Sequence, residues 1–292
     1  MQPRMKPIDQ LSLGWRTHLI FPRFDAQVIA RPDYLLVRTP HNPTFWWGNF
    51  LLFDHVPASG EAAQWLAWFD TEFAAQRSAS GHIAFGVDSH DPFEMPPELL
   101  RAGFTRHAEA VLTMRRGELR DPPQPLAPGF RIAVLDLPAQ LSLAGEQQVA
   151  SDQGDHLPVA GYRAFRERQM LRYTAMVEAG LGQWFGVFAR TVEGEELVAD
   201  CGFFRDDEPG TTTDASLGRF QLVSTHPAWR RRGLCRALIH AVCRHGFDTM
   251  GRQTLVIGAD PDDVAIGLYE SLGFQRGVST WQFERRPDAA AS

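Results

Sequence analysis

The chain has 292 residues, 44% hydrophobic and 22% charged, with a formal net charge of −6. That length accommodates two domains of ordinary size, each with its own core. The acidic balance argues against nucleic acid or an anionic membrane as a partner, although a local basic cluster can still hold a small polyanion.

Three cysteines, Cys201, Cys235 and Cys243, match neither a disulfide framework nor a zinc-ligand spacing. They predict reduced thiols, no metal and a cytoplasmic setting. The first residues, MQPRMKPIDQLSLGW, contain no apolar signal-peptide core, and no run approaches a membrane span.

In chain order, the N-terminal part offers two strand-like words, within WWGNFLLFDHVP (Trp46–Pro57) and HIAFGVD (His82–Asp88). It closes on LLRAGFTRHAEAVLTMRR (Leu99–Arg116). The segment Gly117–Gly129 then carries four prolines in thirteen residues, which predicts a stiff, extended linker between two domains. Beyond it, Phe130–Leu137 alternates as a strand, and helices are expected over Pro138–Ala150 and Val159–Glu178, the second stopping at Gly180. Trp184–Arg190, Glu196–Phe204 and Gly218–Thr225 suit strands, with a charged loop over Arg205–Ser216 between the last two. From Leu234 apolar residues recur at helical spacing to about Met250, Thr254–Asp260 suits a buried strand, and a helix follows from Pro261 toward Gly273. Val278–Arg285 is a last strand. These elements make a mixed α/β domain with one central sheet.

The N-terminal part weakly repeats this order. Leu99–Arg116 lies without gaps on YESLGFQRGVSTWQFERR (Tyr269–Arg286), which matches Gly103 to Gly273 and Phe104 to Phe274. HIAFGVD resembles TLVIGAD, and WWGNFLLFDHVP resembles GRFQLVSTHP. The shared order of three segments points to duplication.

The most informative stretch is Val223–Leu238, VSTHPAWRRRGLCRAL. A strand leads through a turn at Pro227 into Arg230, Arg231, Arg232 and Gly233, which open a helix at Leu234 and Cys235. The first N–H groups of a helix lack partners and carry partial positive charge. Glycine lets a bulky anion approach, and the arginines add donors, so the junction suits a pyrophosphate. Taken alone, three arginines are equally a solvated basic turn.

This stretch resembles the acetyl-CoA-binding motif of the GCN5-related N-acetyltransferases, Arg/Gln-x-x-Gly-x-Gly/Ala. Arg230 and Gly233 match, and Cys235 stands where glycine or alanine is usual. The word Tyr269-Glu-Ser-Leu-Gly-Phe is similar to the family's closing helix and strand, and Asp262 occupies a place where asparagine is common. The resemblance covers about 160 residues and implies an acyl-CoA N-acyltransferase fold in two tandem related domains. These are residues 1–116, a degenerate copy, and residues 130–292, the catalytic one, joined by the linker 117–129.

It implies, further, acetyl-CoA as co-substrate and a small-molecule amine as acceptor, in a monomer or homodimer. The backbone of Val223, Ser224 and Thr225 would meet the pantetheine arm and the thioester carbonyl. The segment Arg230, Arg231, Arg232, Gly233, Leu234, Cys235 and Arg236, with Asp262, would hold the rest of the cofactor. Tyr269 would protonate the departing thiolate. The strand Gly218–Thr225 has no carboxylate, so Asp200 and His226 are the nearby candidates for a base. Asp206, Asp207 and Glu208 read as a solvated charge run, and Cys235 and Cys243 lack an activating partner.

In the N-terminal copy, His55–Phe69 has no arginine and Leu99 replaces the tyrosine, so this half is expected not to bind CoA in the family manner. Phe45, Trp46 and Trp47 suit core packing or an acceptor pocket between the domains. Two other functions fit the same residues, a protein or peptide N-acetyltransferase and a non-catalytic acyl-CoA sensor.

Overall fold

Two folding units emerge in the computed structural model, which describes residues 5–76, 81–90, 93–152, 159–206 and 216–287. Unit 1 comprises Met1–Val111 with Val278–Ser292, and unit 2 comprises Leu112–Gly277. Asp207 and Glu208 lie outside the described residues.

Unit 1 opens with helices α1 (Leu13–His18) and α2 (Ile20–Asp25) and strands β1 (Gln27–Ala30), β2 (Leu35–Arg38) and β3 (Phe50–Phe53). Helix α3 (Glu61–Phe73), β4 (Ile83–Val87), α4 (Pro97–Arg101) and β5 (Thr105–Arg115) follow. Its sheet runs β1-β2-β3-β4-β12-β5, where β12 is Thr280–Arg285 near the end of the chain. Strand alternation sorts its apolar residues onto two faces. Leu35, Val37, Phe50, Leu52 and Ala84 pack with Trp15 and Leu19 of the N-terminal segment. Leu36, Leu51, Phe53, Ile83 and Phe85 pack with Trp65, Phe69 and Phe73 of α3. Phe53 lies face to face with Trp65 at 3.5 Å between centroids. Trp47 packs on the first face and Trp46 stacks on His82, so this aromatic group serves packing within unit 1.

Unit 2 contains β6 (Phe130–Val134), α5 (Leu137–Ser151), α6 (Val159–Glu178), β7 (Gly182–Thr191), β8 (Gly194–Arg205) and β9 (Leu217–Thr225). Then come α7 (Leu234–Asp248), β10 (Thr254–Ala259), α8 (Ala265–Leu272) and β11 (Gln275–Arg276). Its strands run β6-β7-β8-β9-β10, with the end of β5 beyond β10. Helix α7 buries Leu234, Leu238, Ile239, Val242, Cys243 and Phe247 along one stripe, the helical period read from the sequence. Burying each large apolar side chain of this kind contributes roughly 1.5–3 kcal/mol. Among the described residues, no helix is long and apolar enough to cross a membrane.

The element order β3-α3-β4-α4-β5 of the first half recurs, with the two-residue β11 inserted before the last strand, as β9-α7-β10-α8-β11-β12 in the second. In both, the two strands flanking the long helix pair in parallel. The last strands, however, do not stay with the rest of their repeats. Strand β12 pairs antiparallel with both β4 and β5 and so belongs to unit 1, whereas β5 leaves unit 1 at Val111 and gives Leu112–Arg115 to unit 2. The expected domain of residues 130–292 therefore lacks its final strand. The two repeated words form a ladder with each other, Thr280 opposite Glu109 and Phe283 opposite Arg106.

Three further expectations change. The proline-rich segment belongs to unit 2 and is tied to it, with Arg120 N–H donating to Leu272 O at 2.9 Å and Gln275 Nε2 to Glu118 Oε1 at 2.7 Å. Its prolines stiffen a strap rather than a free spacer. The strand expected through Leu137 ends at Val134, because Asp136 caps α5 and Pro138 sits in its first turn. The helix expected from Pro261 starts at Ala265, because Asp260 and Asp263 turn the chain through side-chain bonds to the N–H groups of Asp262 and Ala265.

Candidate functional site

The site begins as a defect in the sheet of unit 2. Strands β9 and β10 pair in parallel only over Leu217–Arg219 against Thr254–Val256. Beyond that point β9 stays with β8, but its register slips between Asp200 and Gly202, and Leu222 adopts a positive φ of 50°. A leucine in this region is strained, and such a bulge bends a strand and re-aims its backbone. The Leu222 carbonyl accepts a bond from Gln148 Nε2 of α5 at 3.0 Å, which holds the bulge.

Period two then decides which groups face the opening. His226 N–H donates to Val198 O on β8 at 2.9 Å. Ser224, two residues earlier, turns its backbone the same way, and Val223 and Thr225 turn theirs toward the gap left by β10. The gap widens into a cleft of about 710 Å³ that reaches from β9 and the start of α7 to α8 and the end of α5.

At one end lies the β9–α7 junction. Pro227–Trp229 form a single 3-10 turn capped by His226, whose Nδ1 accepts from Ala228 N–H at 3.3 Å. Arg230 is a brace, donating from Nε to Thr225 O at 3.0 Å and from a terminal nitrogen to Ser151 O at 2.9 Å. Arg231 and Gly233 both have positive φ, 59° and 76°, and Gly233 caps α7. The Ala237 N–H closes the first turn on Gly233 O, so the amides of Leu234, Cys235 and Arg236 precede the helical ladder and point out of its N-terminus. Arg236 carries a buried Nε that meets no hydrogen-bond partner.

Of the residues singled out from the sequence, Val223, Ser224, Thr225, Arg230, Arg231, Gly233, Leu234, Cys235, Arg236 and Tyr269 line this one cleft. Four do not. Arg232 stacks over the Trp229 ring at 4.7 Å. Asp262 gives way to its neighbour Asp263, which lines the cleft. His226 is committed to its turn. Asp200 has no solvent exposure, so it meets no acceptor directly.

Sequence reasoning missed Gln148, Asp152, Arg166 and Asp263 on the lining. Asp152 accepts from Tyr162 and lies 3.5 Å from Arg166. The one legible signal was the pair Asp262–Asp263, where adjacent carboxylates left the orientation open.

Burial sets the electrostatics. Desolvation, followed by the nearby Cys235, Asp263 and Cys201, holds the Tyr269 phenol well above its ordinary pKa, so it stays protonated. Desolvation pushes the Cys235 thiol up to about 12, which keeps it from acting as a thiolate. Asp200, driven by desolvation and only partly offset by its hydrogen bonds, rises to about 6.

An acetyltransferase (GNAT) domain family matches residues 185–276, the stretch that carries the bulge, the junction and Tyr269. Among curated proteins none matches. Solved structures share the fold over most of the chain. A conserved protein of unknown function from Staphylococcus epidermidis is 11% identical, with 91% of this chain and 96% of that one covered and a TM-score of 0.67. A GCN5-related N-acetyltransferase from Kribbella flavida is 16% identical, with 93% of each chain covered and a TM-score of 0.60. A third, from Sphaerobacter thermophilus, is 14% identical, covering 91% and 84%, with a TM-score of 0.55. Residues 185–276 thus match an acetyltransferase (GNAT) domain, and the chain as a whole is similar in fold to solved structures that include GCN5-related N-acetyltransferases.

Proposed function

We propose that this protein is an acetyl-CoA-dependent N-acetyltransferase that acts on a primary amine of a small molecule by direct attack. The observation that carries the reading is the continuity of one cleft from the open amides of α7, past the free edge of β9, to the Tyr269 phenol. The α7 amides with Arg231 and Arg236 suit a pyrophosphate, and the orphaned Arg236 Nε is the group an anion would satisfy. The exposed edge at Val223 and Thr225 suits an amide-bearing arm, added as a short strand.

Bound acetyl-CoA would supply an activated acyl group as a thioester. This chain's residues would orient it and manage charge and protons. The Val223 N–H, turned to the cleft, would stabilise negative charge on the carbonyl oxygen. Tyr269, neutral and protonated, would give a proton to sulfur.

A second reading, a non-catalytic acyl-CoA sensor, draws on one observation: neither Asp200 nor His226 lines the cleft. CoA release from acetyl-CoA over a panel of primary amines (a diamine, an aryl-ethylamine, an amino sugar and α-amino acids) separates the two. Turnover on at least one amine is expected, and tight binding with none would overturn the enzymatic reading. Tyr269→Phe is expected to lower kcat about 10- to 100-fold with acetyl-CoA affinity retained. An unchanged kcat would remove the proton-donor role.

A further inference from the structure

A carboxylate with no solvent exposure sits in the middle of β8, where its neighbours along the strand are Val198, Ala199, Cys201 and Gly202. Asp200 is opposite Ser224 on β9. Ser224 Oγ donates to Asp200 Oδ1 at 2.5 Å, Gln148 Nε2 donates to the same oxygen at 2.8 Å, and Trp184 Nε1 donates to Oδ2 at 2.8 Å. The same nitrogen reaches Ser224 Oγ at 3.2 Å, so the N–H not given to Leu222 O is shared between Asp200 Oδ1 and Ser224 Oγ. The hydroxyl thus gives its proton to Asp200 and takes one bond from Gln148, which leaves it a second lone pair. Ser224 and Gln148 both line the cleft, although Asp200 does not.

A buried ionisable group that needs three donors costs stability, and an apolar residue in a central strand would not. Of the two donors that link Asp200 to the cleft, Gln148 and Ser224, the Ser224 hydroxyl is the one that can both accept a proton and pass one on. Resting on the N-acetyltransferase reading above, we propose that Ser224 and Asp200 form a proton relay in which the amine gives its proton to Ser224 Oγ while Ser224 gives its own to Asp200 Oδ1.

As the nitrogen lone pair forms the new C–N bond, the thioester C–S bond breaks with its electron pair going to sulfur, which takes a proton from Tyr269 (later restored from water), and the nitrogen becomes acidic. One N–H bond breaks and an O–H bond forms on Ser224, while the former Ser224 O–H bond breaks and one forms on Asp200. The serine ends as it began, and Asp200 returns the proton to water by the same path after product leaves. No oxidant or further reactant is required.

The groups facing Asp200 from each packed element are Gln148 of α5, Arg166 of α6, Trp184 of β7, the neutral neighbour Cys201 and Ser224 of β9. Arg166 and the three donors favour the charged form, and burial opposes them more strongly, for a pKa of about 6. The base is therefore ionised and competent above that pH and lost below it.

The test uses the full-length protein, acetyl-CoA and the best amine of the panel. For the wild type, log kcat/KM against pH is expected to rise with a slope of about 2 below pH 6, where both the amine and Asp200 titrate. Above it, the slope falls to about 1. Ser224→Ala is expected to keep acetyl-CoA affinity, lose about 100-fold in kcat/KM and show a slope of about 1 throughout. Ser224→Thr, which keeps the hydroxyl, is expected to recover most of the rate and the break at pH 6. Asp200→Asn, checked for folding by its melting curve, is expected to match Ser224→Ala. A Ser224→Ala enzyme that keeps the break overturns the relay, whatever its rate, and leaves the acetyltransferase reading standing. A wild type that binds acetyl-CoA and turns over no amine overturns that reading and the relay with it.

Discussion

The β3–α3 junction of unit 1 and the β9–α7 junction of unit 2 start from the same plan and end with opposite chemistry. Each helix is capped by a glycine of positive φ, Gly60 at 89° and Gly233 at 76°. In unit 1 the strands never part. The β3–β4 ladder stays paired to Phe53 and Val87, and Asp88 N–H extends it to Phe53 O. The chain's own carboxylates take the loop amides, with Glu98 accepting from Gly60 N–H at 2.9 Å and Glu61 from Ala58 N–H at 2.8 Å. In unit 2 the strands split after Arg219, arginines replace the carboxylates, and the amides stay open. Unit 1 thus closes its ladder and supplies its own carboxylates to the loop amides, with the glycine and helix retained.

The largest break in this comparison comes from placing an acid at each cap. Gly233→Asp is expected to weaken acetyl-CoA binding at least 1000-fold, roughly 4 kcal/mol, through bulk and repulsion beside the α7 amides. Gly60→Asp is expected to leave that affinity unchanged. Calorimetric titration of both variants checks it, and equal losses would contradict the assignment of binding to unit 2 alone.

The next contrast is in pH. His82 of unit 1 is pushed down to about 4, mainly by burial. The unfolded chain therefore takes that proton first, and the stability it confers above pH 6.5 is lost as pH falls toward 4. Asp200 of unit 2 is raised to about 6 from 3.8. Its charged form is a burden above pH 6, so stability is gained as pH falls through that value toward 4. Each effect is worth roughly 3 kcal/mol, with opposite sign. Hydrogen exchange at pH 5 against pH 7 is expected to show lost protection in β3 and β4 and retained or increased protection in β7 and β8. His82→Gln is expected to abolish the first change, and parallel behaviour of the two units would contradict both assignments.

Smaller still is the contrast between the matched glycines that end the short helices. At Gly273, φ 112°, a Cβ would come within 2.0 Å of the Glu118 carbonyl, whereas at Gly103, φ 81°, it would meet only the Arg285 side chain at 3.7 Å. Alanine is expected to cost about 3 kcal/mol at Gly273 and about 1 kcal/mol at Gly103, read from denaturant midpoints. The smallest effect is expected from Glu98→Gln, a loss of at most about 1 kcal/mol with acetyl-CoA binding unaffected.

The junction at Arg230–Gly233 was legible in the sequence because its chemistry is local: a glycine, a run of arginines and the start of an apolar period lie within nine residues. The same holds for the helical stripe of α7. The β9 bulge was not legible, since Leu222 carries no residue signal for a positive φ and the strain is held by Gln148, 74 residues away. Asp200 could be noticed as the one carboxylate in VADCGFF, but its burial depends on which strands flank β8. The exchange of last strands was hidden by the repeat itself. Two words as similar as those ending in Arg115–Arg116 and Arg285–Arg286 give no local reason for either to prefer one sheet.

That exchange also sets an order of events. Strand β12 lies between β4 and β5 in the sheet of unit 1, so that sheet cannot close until Thr280–Arg285 have left the ribosome. Until then β4, with IAFGV entirely apolar and buried when folded, presents an open edge to other nascent chains. Unit 2, which takes no strand from beyond Gly277, can complete its sheet earlier. A chain cut short before Thr280 would keep every cleft residue and still be prone to aggregate.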